Sequence, residues 1–229
     1  MAINLAKLAG KDLELLIDRS GSMGTPDCAN GATRWNHVAG QTAELATAAL
    51  TVDDDGIYVG LFDDQLVEVP NADGNKVLAA FQQYRPRNGT DTAMAINARL
   101  EAYFERRDGK KGGMFSKGTP GLGDKVKPLI LIVVTDGRPT QNSVKGLSSD
   151  GQKAVAQVIT NATKRIKSRK EIGIFFVQVG YDKGATAFLQ WLDDGLTSEG
   201  AAFDIVDAKT AEDAARMSIG QIVEAALND

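Results

Sequence analysis

The chain has 229 residues, of which 43% are hydrophobic and 24% charged, and its net charge is -4 at neutral pH. This composition is typical of a globular protein and excludes wholesale disorder, collagen and coiled-coil architectures. No run approaches the roughly 18 uncharged apolar residues that cross a membrane. The pI near 5.2 argues against nucleic-acid binding by the chain as a whole.

The location of the protein is predicted from its cysteine content and its first residues. The single cysteine, Cys28, cannot form an internal disulfide, which fits a reducing compartment. The opening M-A-I-N-L-A-K-L-A-G-K-D has neither the sustained apolar core nor the A-x-A cleavage site of a secretory signal peptide. We therefore expect a cytoplasmic protein.

Apolar runs of strand length alternate with segments of helical periodicity along the chain. In chain order, the predicted elements are a strand at Asp12–Asp18, a helix at Trp35–Leu50, strands at Gly56–Phe62 and Leu66–Val69, helices at Lys76–Gln83 and Asp91–Arg107, a strand at Leu129–Thr135, a helix at Ser149–Ser168, a strand at Ile172–Val179, a helix at Ala185–Leu192, a strand at Phe203–Val206 and a helix at Thr210–Leu227. Such alternation forms βαβ units. The sequence predicts an α/β protein with a mainly parallel sheet, in a single domain covering residues 1–229.

One segment departs from this alternation. Residues 108–127 are rich in Gly and Lys and have no periodicity. Loops this long inside a compact domain are usually functional or disordered. We expect a long Gly/Lys-rich insertion here.

Oxygen-bearing side chains stand at three points beyond the strands, where a parallel sheet binds its ligands. They are Asp18, Ser20 and Ser22 after the first strand, Thr90 before a helix, and Asp136 after the central strand. Two carboxylates and three hydroxyls are hard donors of the kind that Mg²⁺ binds, usually together with several waters. We predict a Mg²⁺ site with these five ligands and one position open to an external ligand; Mn²⁺ or Ca²⁺ are alternatives.

The motif D-x-S-x-S, a distant G-T-D-T and an apolar strand ending in T-D-G together resemble a von Willebrand factor A (vWA) domain with a metal-ion-dependent adhesion site. The resemblance covers nearly the whole chain, and each predicted ligand matches a motif residue. It implies a doubly wound, Rossmann-like fold with one short antiparallel edge strand and helices on both faces. It also implies that the open metal position takes an Asp or Glu side chain of a partner protein.

In lacking a signal peptide, the chain resembles the intracellular prokaryotic branch of that family, whose members act as partner-binding or assembly modules. We expect an interaction module without catalytic activity, with the loops around Thr25–Thr33 and Gln141–Leu147 framing the mouth of the site. Two alternatives stay open. One is a Mg²⁺-dependent phosphatase or phosphotransferase with an aspartate nucleophile, although Ser20 stands where such an enzyme needs a second acid. The other is a structural subunit whose metal only rigidifies its loops.

Basic residues concentrate in two segments, 105–127 and 164–170, which both precede buried strands. They therefore lie at the end of the sheet opposite the predicted metal. We favour a solvated surface, offset in part by Asp53–Asp55. The other interpretation is a second docking surface for an acidic partner or nucleic acid, with candidate residues Lys110, Lys111, Lys164, Arg165 and Lys167.

Four other polar residues are interpreted as structural. Cys28 and His37 have no further Cys or His with which to build a tetrahedral zinc site, and we expect His37 at the surface. Asp63 and Asp64 are most simply turn residues, although either carboxylate could face the metal.

Overall fold

The computed structural model describes residues 6–51, 56–110, 118–210, 217–218 and 221–223. Its strands and helices, in chain order, are β1 (Asp12–Asp18), α1 (Arg34–Ala49), β2 (Ile57–Phe62), β3 (Leu66–Ala72), α2 (Gly74–Gln83), α3 (Thr92–Asp108), β4 (Gly109–Lys110), β5 (Thr119–Pro120), β6 (Leu129–Thr135), α4 (Gly151–Thr163), β7 (Ile172–Gln178), α5 (Lys183–Gly195) and β8 (Val206–Lys209). Within the described ranges, no helix has the length and apolar character needed to cross a membrane.

Six strands form one sheet in the order β3-β2-β1-β6-β7-β8. Every neighbouring pair is parallel except β2 with β3, the antiparallel edge strand. The predicted α/β fold, with its mainly parallel sheet and an antiparallel edge strand, is confirmed, but the edge strand is as long as β1 rather than short. Because β1 is joined to β2 on one side and β6 to β7 on the other, the strand order reverses between β1 and β6. A sheet of this kind opens a crevice at that point, beyond the carboxyl ends of its strands.

Helices cover both faces of the sheet, and alternate side chains of the central strand β6 point into the two cores. Ile130, Ile132 and Val134 of β6 belong to a core shared with α1 and α2. Their neighbours Leu129, Leu131 and Val133 belong to a second core, shared with α3, α4 and α5. All seven residues of β6 are buried. The doubly wound arrangement follows from this two-sided burial.

Several predicted elements had wrong boundaries. Strand β3 extends to Ala72 rather than Val69, and α5 covers Lys183–Gly195 rather than Ala185–Leu192. Helix α4 ends at Thr163, whereas the prediction extended it to Ser168. Ile166 is buried beyond the turn that follows the helix, so it continues the apolar stripe without continuing the helix. Strand β8 is Val206–Lys209 rather than Phe203–Val206, because pairing with β7 begins only where Val206 lies beside Ile174.

The structure describes both ends of the predicted Gly/Lys loop. It is closed at its base by a short antiparallel pair, in which Gly109 lies opposite Pro120 and Lys110 opposite Thr119. Gly109 has a φ of 81°, and a Cβ there would collide with the Thr119 carbonyl oxygen, so the turn out of α3 requires glycine. The rest of this loop, 111–117, lies outside the described residues, as do Asp53–Asp55 and most of the predicted helix at 210–227.

Candidate metal centre

The carboxyl ends of β1 and β6 lie side by side, since the two strands are parallel neighbours with Ile17 beside Val134. Asp18 is the last residue of β1, and Asp136 follows the last residue of β6. The two carboxylates therefore meet at the point where the strand order reverses. The topology brings together residues that are more than a hundred positions apart in the sequence.

Asp18 is completely buried. One carboxylate oxygen accepts a hydrogen bond from the backbone N–H of Ser20 at 2.7 Å, and the other accepts one from the Thr135 hydroxyl at 2.7 Å. Burial, and then the neighbouring charge of Asp136, raise the pKa of Asp18 to about 7. Its ionised form is electrostatically costly here, and a cation bound beside it would remove that cost.

Asp136 is 1% exposed and has hydrogen bonds on both carboxylate oxygens. The Ser22 hydroxyl donates to Oδ1 at 2.8 Å, and Arg34 Nη1 donates to Oδ2 at 2.8 Å. The Ser22 hydroxyl also lies 3.1 Å from that of Ser20. Burial raises the pKa of Asp136, and the bonds from Arg34 and Ser22 oppose that rise. Ser22 therefore contacts Asp136 directly, and Ser20 lies between Ser22 and Asp18.

Thr90 reaches the site through a backbone pairing. Its N–H donates to the Thr140 hydroxyl at 2.9 Å, and its carbonyl accepts from the Thr140 N–H at 3.0 Å. The next residue, Asp91, is buried and caps α3 by accepting from the Met94 N–H, while its other oxygen accepts from the Ser143 N–H. These contacts hold the Thr90 segment against the loop that follows β6.

A cleft of about 610 Å³ opens at this end of the sheet, and Ser22, Thr90 and Asp136 line it. Asp18 and Ser20 are buried next to them. Two carboxylates and three hydroxyls fit the hard donor set of Mg²⁺. Among the described residues no cluster of three or more His, Cys, Asp or Glu could hold a metal, as expected where only two of the donors are carboxylates. Metal binding at these five positions stays a prediction.

The residue that sequence reasoning missed is Arg34. Its guanidinium donates to Asp136 through Nη1, and to Asp27 through Nε at 2.9 Å and Nη2 at 2.5 Å. The side chain is only 12% exposed. A Cβ at Gly180 would collide with the guanidinium, so this glycine leaves the space that Arg34 occupies. The sequence offered no signal for these contacts, since an arginine at a helix start belongs to no metal motif.

The loops expected to frame the site do so unequally. Asp27, from the Thr25–Thr33 loop, lines the cleft beside Arg34. No residue of Gln141–Leu147 lines it, although the Ser143 N–H of that loop donates to Asp91, the neighbour of Thr90.

Asp63 and Asp64 are turn residues and neither lines the cleft. Asp63 is buried and pairs with Arg19 at 2.7 Å and with Arg87 at 3.1 Å. Asp64 accepts a hydrogen bond from the Asn88 side chain at 2.9 Å. The simpler interpretation of this turn is therefore the one the geometry favours.

His37 is exposed on α1, with Nε2 2.9 Å from the side-chain nitrogen of Gln41. Its surface position is confirmed. Cys28 is partly buried, and burial raises the pKa of its thiol. Neither residue contacts the site built by Asp18 and Asp136.

The basic surface at the opposite end of the sheet is largely ion-paired. Its pairs are Lys110 with Glu105, Arg165 with Glu101, and Lys167 with Asp124. Lys164 is exposed, and Lys111 lies outside the described residues. Because acidic neighbours neutralise three of the five candidate residues, the geometry favours a solvated surface.

No family model matches the chain, and no curated protein matches it. Solved structures do. The vWF domain of the type V pili tip protein Mfa5 from Porphyromonas gingivalis superposes with a TM-score of 0.53 over 95% of this chain and 94% of that one, at 12% identity. The chain has a von Willebrand factor A fold.

Two further structural neighbours are pilus proteins. A mutant of the PilB minor pilin from Streptococcus sanguinis is 11% identical with a TM-score of 0.62, and the pilus adhesin SpaC from Lactobacillus rhamnosus GG is 14% identical with a TM-score of 0.55. The match covers 95% and 96% of this chain but only 61% and 30% of theirs. This chain therefore spans less than two thirds of either protein. Identities this low establish the vWA fold alone.

Proposed function

We propose that the chain is a Mg²⁺-dependent interaction module that binds an Asp or Glu side chain of a partner protein at an open position of the metal. The observation that supports this most directly is the meeting of Asp18 and Asp136, both buried, at neighbouring strand ends of a vWA fold. Arg34 is the cation paired with Asp136, and it is also paired with Asp27. With all three carboxylates ionised, Asp18, Asp27 and Asp136 together with Arg34 carry a net charge of -2, which one divalent cation would balance.

In this proposal five residues hold the metal, and neighbouring groups orient the two aspartates among them. Bound Mg²⁺ supplies a positive position at which an external carboxylate can bind. The ligands are Asp18, Ser20, Ser22, Thr90 and Asp136. The Thr135 hydroxyl and the Ser20 N–H orient Asp18, and the bond from Ser22 orients Asp136. Orientation by these neighbours reduces the rearrangement that metal binding requires.

The size and the lining residues of the cleft determine which partner side chains can reach the metal. Its volume of about 610 Å³ admits an acidic side chain together with part of its backbone. Arg138, Gln152 and Tyr181 contribute to its walls, and Tyr181 is 65% exposed, so it is available to contact a partner. Within this proposal, a metal site that binds one protruding acidic side chain of a partner suits an assembly or adaptor role.

We place this adaptor in the cytoplasm, on the strength of the single cysteine. The alternative is a component of a surface assembly, which the names of the neighbouring pilus proteins favour. Fractionation of cells that carry the tagged full-length protein separates the two locations.

The test is capture of partners by the tagged protein in Mg²⁺ and in EDTA, with Asp136→Ala and Asp64→Ala variants in parallel. Asp64 is a matched control because its carboxylate lies at a strand-end turn outside the cleft. A partner retained by the wild type and by Asp64→Ala in Mg²⁺, but lost in EDTA and with Asp136→Ala, supports the proposal. A partner retained under every condition contradicts it.

The phosphatase alternative needs a second acid near Asp18, where the chain has the buried Ser20. Assay of phosphate release from a generic phosphomonoester, with Asp18→Asn as the control, tests it. Mg²⁺-dependent turnover that this substitution abolishes would replace the binding module with an enzyme.

A further inference from the structure

We propose that Arg34 is a tethered cation that competes with the metal for Asp136 and so weakens the affinity of the site for Mg²⁺. The inference rests on the proposed function, because it concerns the same metal. It adds an intrinsic control of metal occupancy, exerted by a residue outside the five ligands. Its basis is the contact between Arg34 Nη1 and Asp136 Oδ2, at 2.8 Å.

The competition has a direct electrostatic cause. The Arg34 guanidinium occupies one carboxylate oxygen of Asp136, a predicted metal ligand whose side chain is fully buried. Two cations that share one carboxylate repel each other, and at short range in a partly buried site this repulsion is much stronger than in water. Metal binding must therefore displace the guanidinium from Asp136 or tolerate its charge. Either outcome weakens binding.

Asp27 would keep Arg34 bound after the metal displaces it from Asp136. Nε and Nη2 of Arg34 already donate to both of its carboxylate oxygens, so release from Asp136 breaks only one of the contacts. The backbone N–H of Arg34 also donates to the Thr25 carbonyl at 3.1 Å. The arginine thus has one fixed anchor in the loop and one contact that can be exchanged with the metal.

Neighbouring residues leave space for the Arg34 side chain and fix the start of the helix that carries it. Gly180, with a φ of 75°, leaves room that a side chain would fill, since a Cβ there would collide with the guanidinium. The Thr33 hydroxyl caps α1 by accepting from the Asn36 N–H, which fixes the helix start that carries Arg34. A mobile surface arginine would have neither support. These contacts distinguish Arg34 from Arg138, which lines the same cleft but is 54% exposed and 3.9 Å from Asp182.

The experiment is calorimetric titration of the full chain with Mg²⁺ alone, for the wild type and for Arg34→Gln, Arg34→Lys, Arg138→Gln and Asp27→Asn. Arg34→Gln should bind Mg²⁺ about ten-fold or more tightly than the wild type, because it removes the charge at Asp136. Arg34→Lys keeps the charge and should stay near the wild type. Arg138→Gln removes an equal charge from the same cleft without a contact to Asp136, and should change affinity much less.

Asp27→Asn should act in the opposite direction, because it frees Arg34 to pair wholly with Asp136, and should weaken Mg²⁺ binding. Thermal unfolding in EDTA shows that each variant is folded. Equal or weaker binding by Arg34→Gln, an equal gain in Arg138→Gln, or tighter binding by Asp27→Asn would overturn the inference. Wild-type binding without the Arg34→Gln gain overturns the inference alone, whereas no Mg²⁺ binding by either protein overturns the proposed function as well.

Discussion

The Asp18 carboxylate accepts a hydrogen bond from the Thr135 hydroxyl at 2.7 Å, between the last residues of two neighbouring parallel strands. Both residues are buried. The bond therefore connects Asp18 to β6, the strand that is followed directly by Asp136. The geometry of the site depends on the pairing of β1 with β6, and any change that disturbs this pair should affect stability and metal binding together.

Thr135→Val should lower the free energy of unfolding by about 1–3 kcal/mol, since it keeps the shape of the side chain but leaves a buried carboxylate oxygen without its donor. Chemical denaturation measures the change. Thr42→Val is the matched control. The Thr42 hydroxyl is also buried but has no hydrogen-bond partner, so its removal should be neutral or stabilising. Equal losses in the two variants would contradict the assigned importance of the Thr135 bond.

The stability of the protein in EDTA should fall as the pH rises from about 4 to about 7. The pKa of Asp18 is raised from 3.8 to about 7 by burial and by Asp136, so the folded state keeps a proton that the unfolded state has lost. The slope contributed by this one group is at most about 1.4 kcal/mol per pH unit. Urea denaturation at several pH values measures it.

Asp18→Asn should flatten this dependence, because the amide does not titrate. Saturating Mg²⁺ should also reduce it, since the cation stabilises the ionised carboxylate. A wild-type stability that rises steadily over the same interval in EDTA would show that the Asp18 carboxyl is ionised in the folded protein throughout.

The pair between Arg19 and Asp63 should contribute strongly to stability, although neither residue is a predicted ligand. Their side chains are 2% and 0% exposed and lie 2.7 Å apart. Asp63→Ala would leave the arginine buried without its partner, which typically costs about 3–5 kcal/mol. Arg87→Ala, which removes the 52% exposed second partner of Asp63, should cost less than about 1 kcal/mol. Similar losses in Asp63→Ala and Arg87→Ala, measured by chemical denaturation, would contradict this ranking.

The ion pairs at the basic end of the sheet should be dispensable for partner capture. Lys167 and Asp124 are 78% and 92% exposed, and exposed pairs of this kind contribute little to stability. Lys167→Glu should therefore leave both the unfolding midpoint and Mg²⁺-dependent capture unchanged. Loss of the partner in this variant would restore the second docking surface as an interpretation.

The sheet and the strand-end positions of Asp18 and Asp136 were predictable from the sequence because local patterns encode them. A continuous apolar run such as β6 can only be a buried strand or helix, and its length and β-branched residues indicate a strand. Ligands that follow directly after such strands inherit their positions from the sheet. The strand pairing in the structure brings Asp18 beside Asp136 for this reason.

Arg34 and β8 were not predictable in this way. The contacts of Arg34 with Asp27 and Asp136 join residues on separate segments, and nothing in the local sequence of α1 encodes them. Phe203 and Ile205 pack against the core before β8 begins, so the apolar pattern identified buried residues but placed the strand three residues too early.

The most direct test of the metal centre is titration of the purified chain with Mg²⁺ by calorimetry, beside the Asp136→Ala and Asp64→Ala variants. We predict one bound Mg²⁺ per chain for the wild type and for Asp64→Ala, and none for Asp136→Ala. Wild-type protein that binds no Mg²⁺, or Asp136→Ala protein that binds it as tightly as the wild type, would contradict a metal centre at the ends of β1 and β6.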